Sequence, residues 1–285
     1  MTGMVPGWNT LRQVGPAAAF YVLFFLGPLL ILFLYSFWTM DGYTIVPGLS
    51  VASYVEAVTT SLYFAIIVRT VLIGVATAFL VVPIVYLLAY VMLFVLDDRN
   101  RRLLDLVLVS MFSGYLVRIY AWRTILGKEG LLNSALLQLH LIDQPLTFLL
   151  FSNFSVVVTL VGLLIPLALL PMYSSMSNVS REHLDGARDL GSRGFHLHRT
   201  ILIPMTLPGL NTAFAIAFIL SVGDFVVPTM LGGAQGTMIG NVIADQFKGS
   251  GSNWPLGAAM AFLIMAIMLA VYLVVTRALK WVTRW

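Results

Sequence analysis

Apolar residues come in long, nearly unbroken blocks along this chain, not in the alternating or single-faced patterns of a soluble fold. Six blocks stand out, roughly Gly15 to Trp38, Ala65 to Leu96, Leu103 to Trp122, Phe148 to Tyr173, Leu207 to Pro228 and Leu256 to Thr276. A helix that crosses a bilayer needs about 20 mostly apolar residues, and each block reaches that length between charges, Pro/Gly clusters or polar loops. The pattern therefore predicts an all-α polytopic membrane protein with six transmembrane helices, forming a single transmembrane domain over residues 1–285. The second block is long enough to tilt or to extend past the bilayer. The first is too long for the apolar core of a signal peptide, and its small residues Ala17 to Ala19 lie at its start, where no cleavage site belongs, so it reads as a retained anchor.

Composition agrees. Of 285 residues, 60% are apolar and only 10% charged, with a mean hydropathy of +0.95; a soluble domain carries roughly a quarter charged residues. With no cysteine there is no disulfide framework and no thiolate chemistry. The net charge of +4 comes from 16 Lys and Arg against 12 Asp and Glu. In a membrane protein such residues mark cytoplasmic loops, not nucleic-acid contacts. Alternate loops divide them unevenly. One set holds eleven: Arg12; Arg99, Arg101 and Arg102; Arg181, Arg188, Arg193 and Arg199; and Arg277, Lys280 and Arg284. The other holds Arg123, Lys128 and Lys248, while Arg69 and Arg118 fall inside spans near their outer ends. The positive-inside rule then makes both termini cytoplasmic and makes 174–203 the largest cytoplasmic loop.

That loop carries the most informative stretch, Ser180-Arg181-Glu182-His183-Leu184-Asp185-Gly186-Ala187-Arg188-Asp189-Leu190-Gly191, followed after Thr200 by Ile201-Leu202-Ile203-Pro204. Ser180 can cap a short helix, Glu182 and Asp185 favour its N-terminal dipole, and Gly191 can end it. The stretch resembles the signature loop of permease subunits of bacterial ABC importers: Glu-Ala-Ala, three residues, Gly, then Ile-x-Leu-Pro. Further segments are similar to the spermidine/putrescine branch of that family, in order and at fitting distances: Leu116 to Trp122, Gly130 to Ser134, Gly223 to Pro228, Met238 to Asn241 and Trp254 to Ala259.

The resemblance implies the type I ABC importer permease fold and a subunit without chemistry of its own, in a bacterial plasma membrane. It implies as partners a cytoplasmic ATPase dimer that binds ATP and Mg²⁺, a second homologous permease giving a heterodimer, and an external solute-binding protein. It makes the loop helix the coupling helix, seated in a groove of the ATPase. Asp185, Gly186, Ala187 and Gly191 take the positions of the signature Glu, Ala, Ala and Gly, and Pro204 that of the closing proline. Asp185 shortens the acidic arm by one methylene, Gly186 costs a helix about 1 kcal/mol relative to Ala, and Ile203 stands where Leu is usual. Glu182, one turn earlier, remains a second candidate for the ATPase contact.

Three charged residues are candidates for the translocation path. Asp224 lies 16 residues after Pro208, hence roughly 24 Å along a helix, and an acid at membrane depth is functional by default; between Gly223 and Pro228 it can equally be a helix-end cap. Arg118 matches a frequent family Arg, whereas Arg69 stands where Asn is more common; either can snorkel to the outer headgroups. An Arg69 facing the path would repel a doubly cationic amine and favour a zwitterionic or anionic solute such as an amino acid, opine or phosphonate. Pro83, Pro166 and Pro171 each remove a helical hydrogen bond and are candidate bending points. Neither Gly-rich stretch, Gly232 to Gly240 or Gly127-Lys128-Glu129, has the ending of a phosphate loop, and His196 and His198 point to different sides of a helix, so no metal site is expected. An ion-coupled carrier would need mid-membrane carboxylates or inverted repeats, and an intramembrane enzyme a cluster of reactive side chains across facing spans; the sequence offers neither.

The uneven split of basic residues makes a direct prediction. In this cysteine-free chain, cysteines placed at Ser50 and Lys128 should react with an impermeant thiol reagent in intact cells, and one at Arg193 should not. Labelling at Arg193 in sealed cells would invert the orientation.

Overall fold

The computed structural model describes residues 8–96, 100–248 and 252–282. Arg99 and Arg284 lie outside the described residues, as do the side chains of Arg12 and Arg101. The chain opens with α1 (Trp8–Tyr21), a single π turn at Val22–Leu26 and α2 (Gly27–Tyr35). A two-stranded antiparallel hairpin follows, β1 (Thr39–Asp41) against β2 (Thr44–Val46), with Met40 opposite Ile45. Next come α3 (Ala52–Thr59), the long α4 (Ser61–Phe94), α5 (Asn100–Met111), α6 (Tyr115–Leu126), α7 (Leu131–Gln138) and α8 (Asn153–Ser177). After these lie α9 (Arg181–Asp189), α10 (Phe195–Leu197), a π turn at His198–Leu202, α11 (Ile203–Met205), α12 (Leu207–Gly223), a further π turn at Pro228–Gly232, α13 (Ile239–Gln246) and α14 (Trp254–Val282).

Among the described residues four helices are long and apolar enough to cross a membrane unaided: Val14–Tyr35, Ser61–Phe94, Asn153–Ser177 and Trp254–Trp281. Two more spans exist only as bent pairs. The third expected span is not one helix. It breaks between Arg102–Met111 and Tyr115–Gln138 with a bend of 98°. The cause is local: Ser110 Oγ donates to the Val107 carbonyl and Ser113 Oγ to the Ser110 carbonyl, while Phe112 N–H reaches back only three residues to Val109. Serine hydroxyls that occupy carbonyls in this way compete with the helical ladder, and Gly114 then starts α6 afresh. The fifth expected span also ends early, at Gly223 and not Pro228, and it leaves Phe195–Met205 at 78°. By contrast α4 and α8 run on through Pro83, Pro166 and Pro171 as single helices.

The chain divides into two compact units that interleave in sequence. The first takes the described part of Met1–Phe64 with Val242–Met265. Its aromatic seams are Phe33 edge-on to Phe262 at 5.0 Å and Trp254 packed against Tyr35 and Phe247 at 6.1 and 5.7 Å. Tyr54 Oη donates to the buried Ser36 Oγ, which passes its own proton to the Phe33 carbonyl. No residue in the best apolar window of Val14–Tyr35 is buried within the chain, as expected of a helix whose solvent is lipid.

The second unit, Ala65–Asn241 with Ala266–Trp285, is built round α8 and α12. Leu160, Leu164, Ala168, Leu169 and Met172 meet Ala213, Phe214, Ala217, Phe218 and Val222 in a fully buried seam. Small residues bring helices close where lipid supplies no hydrophobic push. At Gly162 the fit is exact enough that a Cβ would lie 2.4 Å from Trp122 Cζ2. Two connections are pinned by side-chain amides: the buried Asn133 Nδ2 donates to the Gly127 and Leu146 carbonyls and its Oδ1 accepts from Leu146 N–H, and the half-buried Asn241 Nδ2 donates to the Phe225 carbonyl at 2.8 Å.

Gly162→Ala should therefore overpack the α6–α8 contact at a cost of about 1–3 kcal/mol, read as a lower melting temperature in detergent. Adding Trp122→Leu should restore part of the loss; an unchanged melting point for Gly162→Ala would refute the contact.

Candidate functional site

The loop helix α9 is built as an adaptor with one fixed face. Ser180 caps it, its Oγ accepting from His183 N–H, with Glu182 in the first turn and Arg188 in the last. Leu184 and Ala187 are buried against the rest of the chain, whereas Glu182, Asp185 and Gly186 are exposed. Asp185 Oδ1 holds Arg188 Nη1 at 2.9 Å across the helix surface, and an exposed pair of this kind contributes little stability. The helix ends in a complete Schellman motif: Ser192 N–H donates to the Ala187 carbonyl and Gly191 N–H to that of Arg188, with Gly191 at φ +87°. Only glycine takes that conformation without strain. A Cβ at Gly186 would meet nothing within 4 Å, so this glycine is not required by the chain's own packing.

The loop is fastened to the end of α4 at two places. Arg181 Nη2 donates to the Leu93 carbonyl at 3.4 Å, one of the carbonyls left over at a helix C-terminus. His198 Nδ1 lies 2.7 Å from Tyr86 Oη, and its ring packs edge-on against Tyr90 at 4.7 Å. Burial pushes the His198 imidazole below its ordinary pKa, favouring the neutral form. Pro204 lies in α11, on the loop side of the Thr206 bend.

Within the second unit, Asp224 and Arg118 line one cavity of about 500 Å³. Its other walls are apolar, chiefly Leu160, Leu163, Leu164, Leu167 and Ile219, with Met268 from α14. Asp224 Oδ1 accepts from Val226 and Val227 N–H at 2.8 and 2.9 Å and so caps the segment after α12, while Oδ2 accepts from the Tyr115 hydroxyl. All three donors are neutral, so none of these contacts pairs Asp224 with a cation. Arg118 Nη1 stands 3.5 Å from the Leu163 carbonyl, and its buried Nε has no hydrogen-bond partner among the described residues. The two reach no ion-pair distance of each other. Arg69 is half-buried on α4 and does not line this cavity; its neighbour Thr70 is buried and accepts from Ile239 N–H.

Residues 48–285 match the family described as the binding-protein-dependent transport system inner membrane component. The chain belongs to this family. It is 30% identical over 270 residues to the spermidine/putrescine transport system permease protein PotB of Haemophilus influenzae, covering 93% of each. With PotB of Escherichia coli it shares 31% over 262 residues, 91% of this chain and 94% of the other. The crystal structure of a bacterial ABC transporter involved in the import of the acidic polysaccharide alginate superposes with a TM-score of 0.76 over 97% of this chain and 99% of that one; at 15% identity this likeness concerns the fold. The protein is thus a multi-pass inner-membrane permease of a binding-protein-dependent transport system.

In this permease sequence reasoning passed over Tyr115 and weighed His198 only as a metal ligand, not as a partner of α4. Tyr115 had a readable signal: three residues before Arg118, it shares that residue's helical face. His198 had none, because its partner Tyr86 is 112 residues away in sequence.

Asp224 caps the segment after α12 and lines the cavity, and substitution separates the cap from the charge. Asp224→Asn keeps a good capping side chain but removes the charge, so the melting temperature should hold while uptake falls. Asp224→Ala also loses the cap, about 0.5–2 kcal/mol, and should melt earlier. Wild-type uptake by the Asn variant would leave Asp224 as a cap alone.

Proposed function

We propose that this chain is the non-catalytic permease subunit of an ATP-driven importer for polyamines such as spermidine and putrescine, or related small amines. Two near-full-length relatives bear that designation. The observation that carries the solute reading is Asp224, a carboxylate held only by neutral donors at the wall of an otherwise apolar cavity. Such a wall suits a solute that alternates ammonium groups with methylene runs: the carboxylate receives an ammonium, and the leucines receive the chain. Arg118 on the same cavity favours a second reading, a zwitterionic solute whose carboxylate faces the guanidinium. Arg69, away from that cavity, adds nothing to an anionic reading.

Transport in this proposal is conformational. A cytoplasmic ATPase dimer binds ATP and Mg²⁺, receives the exposed face of α9, and on closing moves α9 together with α4, to which Arg181 and His198 tie the loop. A second, similar permease completes the path, an external binding protein delivers the solute, and both termini lie in the cytoplasm. The exposed acids Glu182 and Asp185, the open space above Gly186 and the buried side chains Leu184 and Ala187 support this assignment for the loop.

A carboxylate meeting a partner arginine contributes about 1.5–3 kcal/mol. Asp185→Ala and Gly186→Leu should therefore abolish uptake and weaken ATPase copurification while the chain stays inserted, since neither side chain is buried within it. Glu182→Ala should do less if Asp185 makes the main contact, and more if Glu182 does. Normal uptake by all three would make the loop a simple connector.

A further inference from the structure

Beside α9 the loop also lines a pocket. A cavity of about 310 Å³ is lined by Tyr90, Arg188, Arg193, Gly194, Leu197 and His198. No acid lines it. Arg188 gives one nitrogen to Asp185, which leaves the rest of a five-donor fork. Arg193 is exposed and forms no ion pair among the described residues. His198 has Nδ1 engaged by Tyr86, leaving Nε2 for a ligand, and Tyr90 adds a hydroxyl. Arg188, in the last turn of α9, and Arg193, within the Gly191–Gly194 turn, both line it, and a guanidinium group matches the planar, bidentate geometry of phosphate oxygens.

Position narrows the ligand further. Tyr90 stands one turn before Phe94, where the apolar α4 ends, so the pocket opens at the depth of the headgroups on the side richer in basic residues. Phe195, 77% exposed, lies next to Gly194 at the rim. Basic pockets at this depth attract anionic headgroups, and exposed aromatic side chains suit the interface.

We propose that this pocket binds a phosphate group, carried by an anionic phospholipid of the adjoining leaflet or by a soluble phosphate ester. A phosphate there bridges Arg188 at the end of α9 to Arg193 in the turn and His198 beyond it, bracing the loop helix against α4. The chemistry is independent of the transported solute.

The test uses the full-length chain purified in detergent with whatever subunits accompany it, and native mass spectrometry. Phosphatidylglycerol should be retained over phosphatidylcholine, and Arg193→Gln should weaken retention by roughly tenfold or more, as for a lost charge-assisted hydrogen bond. Arg193→Lys should recover part of it, and both variants should melt with the wild type because the side chain is exposed. In a parallel arm, inorganic phosphate is titrated against delipidated protein. Arg193-dependent binding of phosphate without selective retention of phosphatidylglycerol identifies a soluble ester as the source. If neither phosphatidylglycerol nor phosphate binding differs between wild type and Arg193→Gln, the proposal fails.

Discussion

A backbone N–H or C=O without a partner costs several kcal/mol in hydrocarbon, and this constraint governs where the helices of the permease stop. At three of the interruptions a polar side chain bonds backbone groups beside the break. Ser110 and Ser113 do so between α5 and α6. Thr206 bonds the Leu202 carbonyl at the bend before α12. Asp224 receives the two N–H groups that follow that helix. The breaks are thus built positions and not failures of helix propensity.

At Asp224 this structural duty falls on a carboxylate that also lines a cavity. One oxygen accepts from the backbone and the other from Tyr115, and none of these donors is charged. Arg118, on the same cavity with its Nε unpartnered, is the opposite pole, and the apolar walls keep the two from being screened by water.

The loop follows the same economy. Leu184 and Ala187 are buried on one face of α9, Arg181 and His198 tie the loop to α4, and the opposite face of α9 is left polar and open.

The blocks of apolar residues were enough to read the class, the approximate number of spans and the loop helix with its Ser180 cap and Gly191 stop, because these depend on length, local capping and glycine's conformational freedom, all of which are properties of neighbouring residues. The same reading placed Asp224 near a helix end. It did not foresee the 98° break at Phe112–Gly114, since apolar composition continues straight through it and outweighs two serines in any pattern of span length. Nor did it join Tyr115 to Asp224, separate Arg69 from Arg118, or tie His198 to Tyr86. Those pairings link residues on different helices, and which face of one helix meets another is decided by close packing at points such as Gly162 and Trp122, which no local pattern encodes.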